Sequence, residues 1–85
     1  MTLRIDTLSG RDHTTIRLIC RMQAEHLAEA QNQIDTSGPK VRLDLEELTL
    51  VDVQVVRFLG TCAARGIELL NCSPYISEWI AREKH

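Results

Sequence analysis

The segment from residue 40 to residue 66 constrains the fold most, because a strand, a helix start and an unusually apolar helix follow one another in it without a break. Apolar and charged residues alternate over residues 41–45, which is the two-residue period of a half-buried strand. Asp52 then precedes a run over residues 53–65 that contains one Gly and no Pro. Since an Asp carboxylate accepts hydrogen bonds from the free N–H groups of a first helical turn, Asp52 is predicted to be the N-cap of this helix.

The rest of the chain predicts a single α/β domain over residues 1–85. The predicted strands cover residues 3–6, 15–20, 41–45 and 67–71. The predicted helices cover residues 22–34 and residues 53–65, the latter ended by Gly66. Ser73 is predicted to cap a last helix whose first-turn residue is Pro74. In the last helix an apolar stripe is formed by Tyr75, Ile76, Trp79 and Ile80. We therefore expect a four-stranded mixed sheet in the order ββαβαβα, with an antiparallel first pair and parallel later strands.

Charged residues at alternate strand positions predict which face of the sheet is exposed to water. Right-handed crossovers between sequential parallel strands would place the helices mainly on one face. Strands that are covered on both faces have continuous apolar sequences, whereas these strands have charged residues between apolar ones. The charged positions are Arg17, Arg42, Asp44 and Glu68. We expect them to form cross-strand ion pairs on a wet face.

Composition excludes several classes of function. Hydrophobic residues make up 44% and charged residues 26% of the chain, which is typical of a globular protein. A net charge of −2 with interspersed signs provides no positive field for a nucleic acid. No apolar run approaches the roughly 20 residues of a membrane span, and residues 1–13 lack the apolar core of a signal peptide. We expect a cytoplasmic protein that is not inserted in a membrane.

Residues 41–70 carry a family resemblance. A V-x-L-D-L strand, an L-x-L-V-D turn, a helix and an R-G-I-E-L strand follow in order, and this block resembles the STAS domain, the fold of bacterial anti-sigma factor antagonists. Family members that work by phosphorylation read Asp-Ser-Ser-Gly-Leu at the turn, with the second serine as phosphoacceptor. Here Asp52 is followed by Val53 and Gln54, so Gln54 occupies the acceptor position. The resemblance therefore implies the fold without phosphorylation at this turn.

The resemblance also implies a function. Similar domains bind a kinase-like anti-sigma factor through this turn and the following helix, in signalling that regulates bacterial transcription. We accordingly expect a protein–protein interaction module without enzymatic activity. The alternative is an accessory or scaffold subunit of a transporter or another cytoplasmic complex. A homodimer is compatible with either interpretation.

The helix after Asp52 has more apolar surface than packing on one side of a sheet requires. At about 100° per residue its polar side chains fall in one narrow arc. These polar residues are Gln54, Arg57, Thr61 and Arg65. The apolar margins are either sealed by the neighbouring helices or displayed to another protein. We predict that the first turn stays open and that the partner-binding residues are Asp52, Val53, Gln54, Val55, Arg57 and Phe58.

The sequence offers no recognisable catalytic or metal-binding set. It contains no CxxC pair, phosphate-binding glycine loop or Ser-His-Asp arrangement, and its three His are not spaced as metal ligands. Asp44 and Asp52 could be considered as a carboxylate pair, but Asp52 is already assigned as a cap. We expect no cofactor, no metal and no enzymatic activity. Cys20, Cys62 and Cys72 are interpreted as small apolar side chains, with a redox sensor as the alternative hypothesis.

Overall fold

The computed structural model describes residues 3–37 and 40–83. These residues form a mixed sheet of five strands and three α-helices. The elements are β1 (Leu3–Ser9), β2 (Thr14–Met22), a 3-10 turn (Ala24–His26), α1 (Leu27–Thr36), β3 (Val41–Asp44), β4 (Leu48–Val51), α2 (Val53–Ala64), β5 (Glu68–Leu70) and α3 (Pro74–Glu83). The prediction of an α/β fold is confirmed.

The sheet follows the predicted neighbour relations. Strand β1 pairs with β2 in antiparallel register over its whole length, and β2 pairs with β3 in parallel. Strand β3 pairs with β5, also in parallel, so the order across the sheet is β1-β2-β3-β5. The short loop between β1 and β2 and the helical crossovers between the later strands account for these two directions.

The prediction of four strands was wrong, because residues 48–51 form a further strand, β4. Their sequence resembles a turn ahead of Asp52. Strand β4 pairs in parallel with the last part of β2, and the register shifts between Cys20 and Arg21. Strand β3 pairs with the first part of β2, so β3 and β4 lie one after the other along the same side of it. Cys20 has a φ of +76°, consistent with a bulge at the shift.

The beginning of the first helix also differs from the prediction. Met22, expected to start that helix, is the last residue of β2 and is fully buried. The 3-10 turn follows, and α1 itself begins at Leu27. Pairing with β4 extends β2 to Met22, which explains the late start of the helix.

A single hydrophobic core lies between the sheet and the helices. It contains side chains from one face of β2 and β3, namely Ile16, Leu18 and Leu43. All three helices contribute to the same cluster, through Ala30, Ile34, Val55, Val56, Leu59, Cys62, Ile76 and Ile80. Because these strand positions share one face, the helices pack on that face of the sheet.

The opposite face carries the charged residues that the alternation predicts. Arg17 Nε lies 3.8 Å from Asp44 Oδ2, and Arg42 Nε lies 3.0 Å from Glu68 Oε1. Arg17 also pairs with Glu47, in the turn between β3 and β4. The pairs link neighbouring strands, and each contributes about 0.2–1 kcal/mol at a partly exposed site.

Local signals at the helix ends agree with the structure. Gly66 has a φ of +91° directly after α2, a conformation that glycine adopts without steric cost. The hydroxyl of Ser73 accepts a hydrogen bond from the N–H of Ile76 at 3.3 Å, which caps α3 as predicted. Pro74 then occupies the first helical position, where no N–H is needed.

Candidate functional site

Asp52 connects the end of β4 to the start of α2 and binds two separate backbone groups. Its backbone is extended, and its Oδ1 accepts a hydrogen bond from the N–H of Val55 at 3.0 Å. Its Oδ2 accepts from the N–H of Ala24 at 2.9 Å. The predicted N-cap is therefore confirmed, and the same carboxylate also binds the first residue of the 3-10 turn.

The bond to Ala24 joins two connections that are distant in sequence. Ala24 begins the 3-10 turn that leads into α1, whereas Asp52 begins α2. The 3-10 turn and α2 both begin with N–H groups that have no acceptor within the helix, and the Asp52 carboxylate accepts a hydrogen bond from one N–H group of each element. The sequence contains no signal for the second bond, because it depends on β2 and β4 ending side by side. Asp52 thus fixes the position of the first turn of α2.

The exposed side of α2 agrees with the predicted polar arc. Gln54, Arg57, Thr61 and Arg65 are all exposed. Val53 and Phe58, predicted at the margins of this arc, are half-buried, and Phe58 packs against the core. The first turns of α2 therefore present polar side chains flanked by two partly accessible apolar ones.

Val55 is the exception among the predicted binding residues. Its side chain is 0% exposed and belongs to the core cluster. A partner cannot contact it without disrupting the packing of α2 on the sheet, so Val55 is corrected from a surface residue to a core residue. The accessible part of the predicted surface consists of Asp52, Val53, Gln54, Arg57 and Phe58.

Helix α3 lies along one flank of α2. An added Cβ on Gly60 would lie 3.5 Å from Ile80 Cγ2, an ordinary van der Waals distance, so α3 packs directly beside this position of α2. Arg57 Nε donates to Glu83 Oε1 at 3.0 Å. Between the helices runs a groove of about 430 Å³. It is lined by Val56, Arg57, Gly60, Thr61, Ala64, Ile80 and Glu83.

The Arg57–Glu83 pair is available for exchange. The Arg57 side chain is 59% exposed, and exposed ion pairs contribute only about 0–1 kcal/mol. An acidic group on another molecule can therefore replace Glu83 at little cost to folding.

Leu50 adds an apolar position that the sequence analysis missed. It lies in β4, two residues before Asp52, and its side chain is 47% exposed. The segment contains Thr and Val, which favour strands, but its four residues are too few to show a period or to predict which side chains stay exposed.

Asp44 and Asp52, the two carboxylates considered above as a pair, are each occupied by hydrogen-bond donors. Asp44 Oδ1 accepts from the N–H of Glu46 at 3.0 Å and from Asn71 Nδ2 at 3.2 Å. Asp52 has both oxygens engaged, as described above. Over residues 3–37 and 40–83, no cluster of three or more His, Cys, Asp or Glu side chains is arranged to hold a metal ion.

The three cysteines are free thiols in different surroundings. Cys62 is buried in α2, and desolvation raises its pKa from the ordinary value of 9.0 to about 11, against a smaller opposing effect of Arg65. Desolvation also raises the pKa of Cys72. Because thiolates are the reactive form, these surroundings lower the reactivity of both groups and weigh against the redox-sensor hypothesis for them.

We expect Cys62 to resist iodoacetamide in the folded protein at mildly alkaline pH and to react fully in denaturant. Burial favours the neutral thiol of Cys62, so its contribution to the free energy of unfolding is fully present below pH 9. This contribution is lost as the pH rises toward about 11. Peptide mass spectrometry after timed labelling measures this, with the denatured chain as the reference. Labelling of Cys62 in the native protein at the denatured rate would contradict the buried position.

The sequence matches no family model and no curated protein. Its resemblance to STAS domains accordingly stays a prediction from residues 41–70. Within the part of the chain that the structure describes, no helix has the length and apolar character to cross a membrane.

Proposed function

We propose that this protein is a non-enzymatic interaction module that docks a protein partner on the start of α2. The docking surface consists of Val53, Gln54, Arg57 and Phe58, positioned by Asp52. The observation that carries the proposal is the combination of a firmly held first turn with exposed side chains on its outer side. Asp52 and buried Val55 hold the turn, while Gln54 and Arg57 remain accessible.

The composition of this surface suits protein recognition. Interfaces typically combine a small apolar centre with a polar rim, and Arg and aromatic residues are enriched in them. Val53 and Phe58 provide accessible apolar area, and Arg57 provides a charge that a weak ion pair leaves exchangeable. Leu50 extends the apolar area on the β4 side. A preorganised turn also lowers the entropy lost on binding.

The resemblance to STAS domains suggests the class of partner. We propose a kinase-like anti-sigma factor, in cytoplasmic signalling that controls bacterial transcription. Docking would not be controlled by phosphorylation at this turn, because Gln54 has no hydroxyl. The nearby hydroxyls of Thr49 and Thr61 donate to the backbone carbonyls of Cys20 and Arg57, at 2.9 and 3.0 Å.

Substitution of Val53 or Gln54 by Glu should weaken partner binding by about tenfold or more while leaving the melting temperature nearly unchanged. A carboxylate in the first turn of a helix is compatible with the helix dipole, so folding should tolerate it. Ala28→Glu provides a matched control, since Ala28 is exposed and occupies the second position of α1 as Gln54 does of α2.

The measurement is affinity capture from native cells, followed by identification of the partner and titration with the purified partner. Wild type and Ala28→Glu should retain the same protein, and the two α2 variants should lose it. Capture of a transporter subunit through the same surface would favour the scaffold alternative. Equal binding by all four proteins would refute a docking surface at the start of α2.

A further inference from the structure

Strand β1 forms a long and regular edge of the sheet. Among the described strands it pairs only with β2, and its seven residues keep an unbroken register from Leu3 to Ser9. An edge strand presents a row of N–H and C=O groups that can pair with another chain. Natural edges are commonly blocked by Pro, by charged side chains such as Lys, by a bulge or by a very short strand. Strand β1 has no Pro, no bulge and seven residues, and its two charged residues, Arg4 and Asp6, are of opposite sign, whereas β5 at the other end of the order β1-β2-β3-β5 has only three residues.

The two faces of β1 differ in a way that limits how it can pair. Leu3 and Ile5 pack against the core, so Arg4 and Asp6 point to the charged face of the sheet. Arg4 Nε lies 3.2 Å from Asp6 Oδ1 within the strand, and the Arg4 side chain is 64% exposed. The strand therefore displays one positive and one negative charge, two residues apart, beside its free edge.

We propose that two copies of this chain associate by antiparallel pairing of their β1 strands around a twofold axis at Ile5. In this arrangement the sheet continues from one copy into the other, with the helices of both copies on the same face. Residues that lie directly opposite each other share a face, so core-facing positions must oppose core-facing positions. Two antiparallel β1 strands can therefore pair only in registers in which the twofold axis passes through a residue of β1, and not between two residues.

Charge selects among these registers. With Ile5 on the axis, Arg4 lies opposite Asp6 of the second copy, and this contact occurs twice by symmetry. With Asp6 on the axis, the two Asp6 carboxylates lie opposite each other, and with Arg4 on the axis the two guanidinium groups do. Opposite charges at facing positions stabilise strand pairing and like charges destabilise it. The register at Ile5 is thus self-complementary, and it also opposes the two β-branched Ile5 side chains.

The pairing uses backbone hydrogen bonds over Leu3 to Thr7 and four charges. This contact is short, so the dimer should be weak and should depend on protein and salt concentration. The proposal does not depend on a partner at α2, because β1 and the start of α2 are separate surfaces.

Sedimentation equilibrium over about a hundredfold concentration range measures the association. Wild type should fit a monomer–dimer equilibrium. Arg4→Asp and Asp6→Arg should each weaken the dimer by about fivefold or more, since each creates two like-charge contacts. The double variant Arg4→Asp/Asp6→Arg should recover the wild-type dissociation constant to within about threefold, because it restores opposite charges across the axis. Asp6→Arg also places a positive charge opposite Arg17 of β2 within each copy, and the melting temperature of the variant reports that separate effect.

Two further measurements locate the contact. Arg82→Asp, an exposed charge reversal on α3, should leave association unchanged. Amide hydrogen exchange in β1 should slow as the protein concentration rises, while exchange in β5 should not. The proposal would be overturned if the protein stayed monomeric at all concentrations or if neither single charge reversal weakened the dimer. It would also be overturned if the β1 amides exchanged in the dimer as fast as in the monomer. Growth beyond a dimer would also overturn it, since that result indicates an open-ended contact.

Discussion

Ile76→Ala is expected to lower the free energy of unfolding by about 3 kcal/mol. Ile76 is 0% exposed, and its side chain joins the core cluster through which α3 is held on the rest of the fold. Truncation removes buried methyl groups and leaves a cavity that the neighbours fill only in part. Domains of this size have total stabilities of roughly 4–13 kcal/mol, so this loss is a large fraction.

Trp79→Ala, in the same helix, should cost roughly half as much as Ile76→Ala. Trp79 is larger but only partly buried, and its ring centroid lies 5.9 Å from that of exposed Tyr75. Urea unfolding followed by circular dichroism measures both variants, because Trp79 is the only tryptophan and fluorescence would lose its probe. A larger loss for Trp79→Ala would show that Trp79, and not Ile76, is the main anchor of α3.

Asp52→Ala should lower the free energy of unfolding by about 2–3 kcal/mol, more than the roughly 0.5–2 kcal/mol typical of a lost N-cap. The excess arises because the carboxylate binds Ala24 as well as Val55. Asp52→Asn should have an intermediate effect, since an amide offers one acceptor oxygen and no charge. The measurement is again urea unfolding of the purified variants.

Asp35→Ala provides the control for Asp52. Asp35 is exposed and accepts a side-chain hydrogen bond from Gln31 at 2.9 Å within α1, so its loss should change stability by less than about 0.5 kcal/mol. Hydrogen exchange adds a local readout, because Asp52→Ala should accelerate the amides of both Ala24 and Val55. Acceleration at Val55 alone would show that the second bond does not contribute in solution.

Much of the fold could be predicted because the relevant signals are local. Asp52, Gly66 and Ser73 mark helix ends through hydrogen bonds or dihedral angles that involve only a few neighbouring residues. Alternation in β2 and β3 predicted which side chains lie on the charged face of the sheet, opposite the helices. The antiparallel hairpin and the parallel strands followed from the lengths of their connections.

Strand β4 was missed because its partner is remote in sequence. Residues 48–51 are too few to show a clear period, and their extended conformation depends on the last part of β2. That same pairing keeps Met22 in the sheet and delays the first helix. One unpredicted contact therefore accounts for both the missed strand and the late start of the first helix.

The candidate site likewise contains some features that the local sequence predicts and others that depend on tertiary packing. The polar arc of α2 was predicted from its angular spacing, and all four of its residues are exposed. The burial of Val55 and the exposure of Leu50 were not predicted, because each depends on which element packs beside it. The apolar stripe of α3 was correct for Ile76 and Ile80, while Tyr75 is 53% exposed.

For this chain, periodicity and capping residues were sufficient to specify the α/β class, the three helices and the outward side of α2. These features arise from interactions within one or two turns of helix or along one strand. The fifth strand, the buried Val55 and the double role of Asp52 required the folded arrangement. The fifth strand and the second bond of Asp52 depend on pairings between segments distant in sequence, as between Ala24 and Asp52, and the burial of Val55 depends on the packing of its helix in the core. Such contacts leave no periodic trace in the sequence.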